Sequence, residues 1–147
     1  MNSNAIKKVT DADNNVLAII VPSSFRVPGV SFFTDDDSPQ QLAFINQPKG
    51  KQIAPHSHNA VSHEVIYTQE TLFIREGVLR VDFYSDNKEY VISHLLSSGD
   101  VILLIMGGHG FEVIEEVDMI EVRPGPYVKN KDKTLILATA NDIIIQE

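Results

Sequence analysis

Residues 79–88 read LRVDFYSDNK, and this stretch decides the fold class. Its first six positions alternate apolar Leu, Val and Phe with Arg, Asp and Tyr, as in a strand with one buried face and one exposed face. The next four positions carry residues typical of a tight turn. The segment therefore predicts a β-hairpin whose second strand occupies residues 90–96.

Short apolar or alternating runs continue from this hairpin toward both termini. They lie at residues 16–21, 30–33, 41–46, 64–74, 101–106, 111–113 and 117–122, and each closes at turn residues. The turns are spaced about ten residues apart, and no long segment combines helical periodicity with capping residues. This pattern predicts an all-β sandwich or barrel. We expect a strand break at Gly77, and residues 134–146 suit either a strand or a helix.

Composition narrows the class of protein further. The chain has 147 residues, which is the size of a single domain over residues 1–147. Its 20 acidic and 12 basic residues leave no basic surface for a nucleic acid or an anionic membrane. The absence of cysteine excludes disulfides and thiolate sites. Because no apolar run approaches the roughly 20 residues of a membrane helix, and no secretory signal is recognisable, we expect a cytoplasmic protein.

A histidine pair is the first candidate site, in the segment GKQIAPHSH at residues 50–58. If this segment is a strand, His56 and His58 point to the same face because side chains alternate along a strand. Two imidazoles on one face can hold one metal ion, although an isolated pair is often only a surface feature.

The spacing around this pair resembles the first motif of the cupin superfamily. Gly50 is followed by five residues and then by His56 and His58. After a longer gap, Glu70 is followed by six residues and then by Gly77. This order of glycine, paired histidines, glutamate and glycine is the pattern of the family.

Residues 99–113, GDVILLIMGGHGFEV, are similar to the second cupin motif and contribute His109. The resemblance covers residues 50–113 and implies a double-stranded β-helix, which is a jelly-roll barrel. It also implies one metal ion with four ligands, namely His56, His58, Glu70 and His109.

The sequence departs from the family pattern between His58 and Glu70, where eleven residues replace a short gap. The insert contains His63 and Glu64, and either could compete for the ligand role. Glu70 is preferred because its spacing to Gly77 matches the motif. If one strand ran unbroken to Glu70, Glu64 would be an inward-facing acid, and otherwise it is a solvated residue.

The second motif lacks the usual proline and is one residue short before its histidine. His109 nevertheless remains the candidate, because His94 is the only other histidine downstream of Glu70. We expect His94 on a different strand, at the protein surface.

Three imidazoles and one carboxylate suit Fe, Mn, Ni, Co or Zn better than Mg or Ca. Such an ion, with open coordination positions, acts as a Lewis acid, and iron could bind dioxygen instead. The leading interpretation is a metal-dependent enzyme that isomerises, epimerises or oxidises a small polar metabolite. A sugar, a sugar derivative or a keto or hydroxy acid fits, because these substrates chelate metals. No further cofactor is predicted.

An enzyme that moves protons needs a second titratable group near the metal. The candidates are Glu64, His63 and Tyr67. The alternative is a non-catalytic metal-containing sensor or carbohydrate-binding cupin, which needs no such group. A third hypothesis is a purely structural protein, in which the pattern of His and Glu residues would be a coincidence.

Three apolar residues are candidates for the substrate pocket. Leu72 and Ile74 share strand parity with Glu70, and Phe111 shares it with His109. An apolar floor with one polar focus is typical of small-molecule sites. The same positions also suit plain core packing.

The C-terminal run at residues 143–145 is three consecutive isoleucines, which is too apolar to remain in water. A jelly roll also has edge strands that must be covered. The tail is therefore expected either to pack on its own barrel or to cross to a second subunit. The homodimer is favoured, as the commonest oligomer of soluble proteins.

Overall fold

The computed structural model describes residues 5–129, 131–137 and 142–146, and the regular elements in these residues are all β-strands. The strands are β1 (Lys7–Thr10), β2 (Val16–Val21), β3 (Gly29–Phe32), β4 (Ala43–Asn46), β5 (Glu70–Tyr84), β6 (Tyr90–Ser97), β7 (Val101–Leu104), β8 (Gly108–Val122) and β9 (Ile145–Gln146). The all-β prediction is confirmed. The described part of the chain contains no helix that could cross a membrane.

The chain divides into two compact units, one formed by residues 26–66 and the other by the remaining residues. A single domain over the whole length stays a prediction. The smaller unit contains the antiparallel pair of β3 and β4. The Phe33 N–H extends this pair by donating to the Leu42 carbonyl at 2.9 Å. The Gln41 side-chain amide supports the turn by donating to the carbonyl of Asp35 at 2.9 Å.

The larger unit is organised around β5, which has strands on both of its edges. β8 pairs with one edge from Thr71 to Tyr84. The other edge is shared, because β7 pairs with residues 70–73 and β6 pairs with residues 78–84. β2 and β1 extend the sheet beyond β7, and β9 adds a parallel strand beyond β6.

The connection between β7 and β8 forces β5 to bend. Leu104 at the end of β7 pairs with Glu70, whereas Gly108 at the start of β8 pairs with Tyr84, at the other end of β5. The four residue steps from Leu104 to Gly108 span no more than about 15 Å. Glu70 and Tyr84 therefore lie within about 25 Å of each other, whereas a straight strand between them would measure about 46 Å. The sheet of the larger unit is accordingly strongly curled.

Two glycines permit this path of the chain. Gly77, in the middle of β5, has φ +86°, and a Cβ there would overlap the carbonyl oxygen of Glu116. Gly107, between β7 and β8, has φ +72°, and a Cβ there would overlap the carbonyl oxygen of Tyr84. Positive φ and close backbone approach both exclude a larger side chain at these two positions.

One face of β5 supplies the centre of the hydrophobic core. Before the bend the buried residues are Leu72 and Ile74, and after it they are Leu79, Val81 and Phe83, each at most 2% exposed. The change from even to odd numbers is what bulges in the ladder require, because an extra residue reverses the alternation. Each such side chain stabilises the fold by about 1.5–3 kcal/mol through burial.

The hairpin predicted from residues 79–96 is present. β5 and β6 pair antiparallel, and the Ser85 N–H donates to the carbonyl of Glu89 at 2.8 Å across the turn. The strand break predicted at Gly77 is wrong. Glycine ends many strands, but here it permits irregular pairing inside a continuous one.

The C-terminal tail packs against β6 of the same chain. The Ser93 N–H donates to the Ile144 carbonyl at 2.8 Å, and the Ile144 N–H donates to the Tyr90 hydroxyl at 2.9 Å. That hydroxyl lies 2.8 Å from Ser93 Oγ, which donates to the buried carboxylate of Asp82. The tail thus packs on its own chain at these residues, and its crossing to a second subunit stays a prediction.

Residues 134–146 suit a strand or a helix by sequence, but residues 134–137 and 142–144 form neither, and only β9 at the end is a strand among the described residues. Residues 138–141 lie outside the described residues. The homodimer stays a prediction.

We expect Gly77→Ala to lower the free energy of unfolding by about 2–4 kcal/mol, because alanine is strained at positive φ and its methyl group would meet backbone atoms. Urea denaturation measures this loss. Gly110→Ala is the matched control, since Gly110 lies on the same ladder and nothing lies within 4 Å of the position of its Cβ. The control should change the free energy by less than about 0.5 kcal/mol. Equal losses in both variants would contradict the role given to Gly77.

Candidate functional site

Glu70, the first residue of β5, is buried with 5% of its surface exposed. Its side chain shares the inward face of the strand with Leu72 and Ile74, because alternate residues point the same way. A carboxylate beside a hydrophobic core is costly unless other groups compensate its charge.

His109, the second residue of β8, is one of these compensating groups. Its Nε2 lies 3.2 Å from Oε2 of Glu70. The two residues lie at opposite ends of the β5–β8 ladder, because His109 pairs with Phe83. The bend of β5 and the short connection at residues 105–107 bring them together.

The hydrogen bond from His109 lowers the pKa of the Glu70 carboxyl below its usual range, and this effect outweighs the raising effect of burial. The positive charges of Lys133 and Arg123 lower this pKa further. Glu70 is therefore a buried anion at neutral pH.

Arg123, one residue beyond β8, faces the other oxygen of Glu70. Its Nη1 lies 3.5 Å from Glu70 Oε1. The same guanidinium lies 3.2 Å from a carboxylate oxygen of Glu121 and 3.4 Å from one of Asp132. Its central carbon lies 5.1 Å from the centre of the Tyr127 ring, within the range of a cation–π contact.

The histidine pair belongs to the smaller unit. His56 and His58 are exposed, and their ring centroids lie 5.3 Å apart in an edge-to-face arrangement. His56 Nδ1 lies 3.0 Å from the carbonyl oxygen of Ala54. The expectation that a strand aligns the two rings is wrong, because residues 47–66 contain no strand. The two imidazole rings are in contact although this segment is not a strand.

The four predicted metal ligands thus form two pairs, one in each unit. Glu70 and His109 are together in the larger unit, and His56 and His58 are together in the smaller one. Among the described residues of either unit, no three His, Asp or Glu side chains are grouped as metal ligands. The full set of four stays a prediction.

The three predicted proton-transfer residues precede β5. His63 and Glu64 belong to the smaller unit and are exposed, whereas Tyr67 belongs to the larger unit and is 55% exposed. Because β5 begins at Glu70, Glu64 does not occupy an inward-facing position of that strand. The catalytic role of these residues stays a prediction.

The predicted pocket residues differ in their accessibility. Leu72 and Ile74 are part of the hydrophobic core. Phe111 is 41% exposed, and its ring centroid lies 5.2 Å from that of His109. Leu72 and Ile74 are therefore core residues on the same face of β5 as Glu70. Phe111 is an accessible apolar side chain beside His109. Their contact with a substrate stays a prediction.

The expectation that His94 lies at the surface is wrong. His94 on β6 is 3% exposed, and its ring centroid lies 6.0 Å from that of Phe83. It pairs with Val81, and residues that face each other across a hairpin share a face of the sheet. The inward position could have been predicted by carrying the register of the hairpin through to this residue.

The sequence interpretation also missed Arg123. It is the only Lys or Arg between residues 89 and 128, a stretch that contains seven acidic residues. A single cation among so many acids is a signal for ion pairing that lies outside the motif resemblance.

Comparison of the chain with protein-family models, with curated proteins and with solved structures finds no match. The class that the fold and site define is an all-β protein with a curled sheet. Its larger unit holds a buried pair of carboxylate and imidazole at 3.2 Å.

We expect protonation of His94 to destabilise the fold in mild acid. Burial lowers the pKa of His94, and the positive charge of Lys7 lowers it further. The folded chain therefore binds this proton less readily than the unfolded chain, whose histidine pKa is about 6.5. The stability due to neutral His94 is present above that value and is lost as the pH falls through the lower, folded-state pKa.

Urea denaturation at several pH values between about 7.5 and 5 tests this, since the range brackets the ordinary histidine pKa. The free energy of unfolding should fall less steeply in His94→Leu than in wild type. His63→Leu, which replaces an exposed histidine, should follow wild type. The same pH dependence in wild type and His94→Leu would refute the assignment.

Proposed function

We propose that the protein is a metal-dependent enzyme with a cupin-type jelly-roll barrel. Its substrate is a small polar metabolite, such as a sugar, a sugar derivative or a keto or hydroxy acid. The observation that carries this proposal is the contact between buried Glu70 and His109. Both residues belong to the ligand set that the motif resemblance implies, and they meet although they lie at opposite ends of one ladder.

The donor chemistry supports a divalent transition metal. Glu70 is a buried anion that faces a ring nitrogen of His109 and the guanidinium of Arg123, and such a carboxylate is a ligand type for a cation. His109 presents Nε2 beside it, and the motif resemblance implies two further imidazoles, those of His56 and His58. Such ligands suit Fe, Mn, Ni, Co or Zn. The chain has no cysteine for a closed thiolate zinc site, which favours an open site.

The bend of β5 supports the barrel. Strongly bent strands curl an antiparallel sheet, and such curling is a feature of barrels and jelly rolls. Gly77, which the motif resemblance includes, lies at the bend. The glycine in this motif thus has a physical role in curling the sheet.

A metal ion held there would polarise a carbonyl group or lower the pKa of a bound water. Glu70 contributes a fixed negative charge, and Phe111 offers apolar contact beside His109. Proton transfer during isomerisation or epimerisation is assigned to Glu64, His63 or Tyr67.

A non-catalytic metal-containing sensor or carbohydrate-binding protein is the second candidate. It is favoured by the exposure of the three proposed proton-transfer residues, His63, Glu64 and Tyr67. Catalytic acids and bases are usually placed where burial or neighbouring charges tune their pKa. Metal binding without turnover of any chelating sugar or acid would decide for this candidate.

Metal content, measured by inductively coupled plasma mass spectrometry on protein purified without added metal, tests the proposal. We expect about one divalent transition-metal ion per chain. Glu70→Gln and His109→Gln should each weaken binding at least about tenfold. Glu115→Gln is the matched control, because it removes an exposed carboxylate of β8 that the motif does not include. It should retain the metal.

Circular dichroism melts establish that each variant is folded before its metal content is compared. A folded Glu70→Gln variant with wild-type affinity would contradict the proposal. Wild-type protein that binds none of the five candidate metals when they are added would contradict it as well. Dialysis at a pH of about 5 should release the metal, because protonated imidazole does not ligate.

A homodimer that uses the C-terminal tail is also proposed. The side chains of residues 143–145 remain between 40% and 58% exposed although the tail pairs with β6. Light scattering should give a dimer for the full chain at micromolar concentration and a monomer after deletion of residues 139–147. A monomeric full-length protein, or a dimer that survives the deletion, would refute this.

A further inference from the structure

Arg123 and His109 each face a different oxygen of the Glu70 carboxylate. Nη1 of Arg123 lies 3.5 Å from Oε1, and Nε2 of His109 lies 3.2 Å from Oε2. A metal ion bound by Glu70 would have to share this carboxylate with a guanidinium group. Two positive charges at one carboxylate repel each other, and the repulsion is strongest where water is excluded. Glu70 lies in such a place, since only 5% of its surface is exposed.

Arg123 has other partners that can hold it once it leaves Glu70. Its Nε lies 3.2 Å from Oε1 of Glu121, and its Nη1 lies 3.4 Å from Oδ2 of Asp132. Asp132 is itself held, because the hydroxyl of Thr68 donates to its other oxygen at 2.9 Å. The guanidinium can therefore swing away from Glu70 and stay paired with two carboxylates.

We propose that Arg123 is a resident cation that neutralises Glu70 in the metal-free protein and competes with the metal for it. This inference rests on the proposed function and adds its regulation. The ion pair makes the empty site stable, because a buried carboxylate with no partner is strongly unfavourable. It also lowers the affinity for the metal, so that only an ion that outcompetes the guanidinium occupies the site.

The test is titration of Co²⁺ into protein freed of metal by a chelator, followed by visible absorption and by calorimetry. Arg123→Gln removes the competing charge, and we expect it to bind Co²⁺ about tenfold more tightly than wild type. Arg123→Lys keeps the charge and should remain close to wild type.

Arg80→Gln is the matched control. Arg80 on β5 also forms two ion pairs, with Asp82 of the same strand and with Glu112 of β8, and it is similarly shielded from solvent, but it does not contact Glu70 in the structure. Its Co²⁺ affinity should equal that of wild type.

The possible failures are distinguishable. If Glu70→Gln abolishes Co²⁺ binding while Arg123→Gln binds no more tightly than wild type, the competition is refuted and the metal site stands. Weaker binding by folded Arg123→Gln would likewise refute it, because Arg123 would then support the metal. If neither wild type nor Arg123→Gln binds Co²⁺, both the competition and the proposed function fail.

Discussion

The short connection between β7 and β8 is the constraint on which the larger unit depends. Its two ends pair with opposite ends of β5, so that the strand in the middle of the sheet cannot be straight. The bend reverses the alternation of buried residues and draws the far ends of the β5–β8 ladder together. Core and candidate site thus share one cause. The bend places Gly77 at a positive φ and close to the backbone of Glu116, and both are possible only because glycine has no side chain.

The strands could be predicted from sequence because alternation and turn residues are local properties. β2 coincides with the predicted run at residues 16–21, and the hairpin from residue 79 is present. The bend could not be predicted in this way. Gly77 suits a strand end as well as a bulge, and the choice depends on the backbone of Glu116, which is distant in sequence. β1 was missed, because its four residues are mostly polar.

The candidate site was predictable only in part, for the same reason. Motif spacing placed Glu70 and His109 in one site, and they are in contact. It carried no information about Arg123, whose partners lie on β5, on β8 and beyond β8, nor about the inward position of His94. The segment containing His56 and His58 is not a strand, because its exposed residues have no partner strand among the described residues and no alternating pattern. Pairing between charges is a property of the folded chain, and spacing along the sequence does not contain it.

The energetics of buried ion pairs make Glu70 dependent on its partners. Removing a carboxylate from water costs several kcal/mol, and an ion pair in the interior repays this cost only with good geometry. The separation of 3.5 Å between Glu70 and Arg123 is long for a strong charge-assisted hydrogen bond. A well-packed apolar residue at position 70 would extend the core of Leu72 and Ile74 at no such cost. Glu70 is instead held as an anion by the hydrogen bond from His109, which outweighs the effect of burial on its pKa, and the proposed metal site depends on this anion.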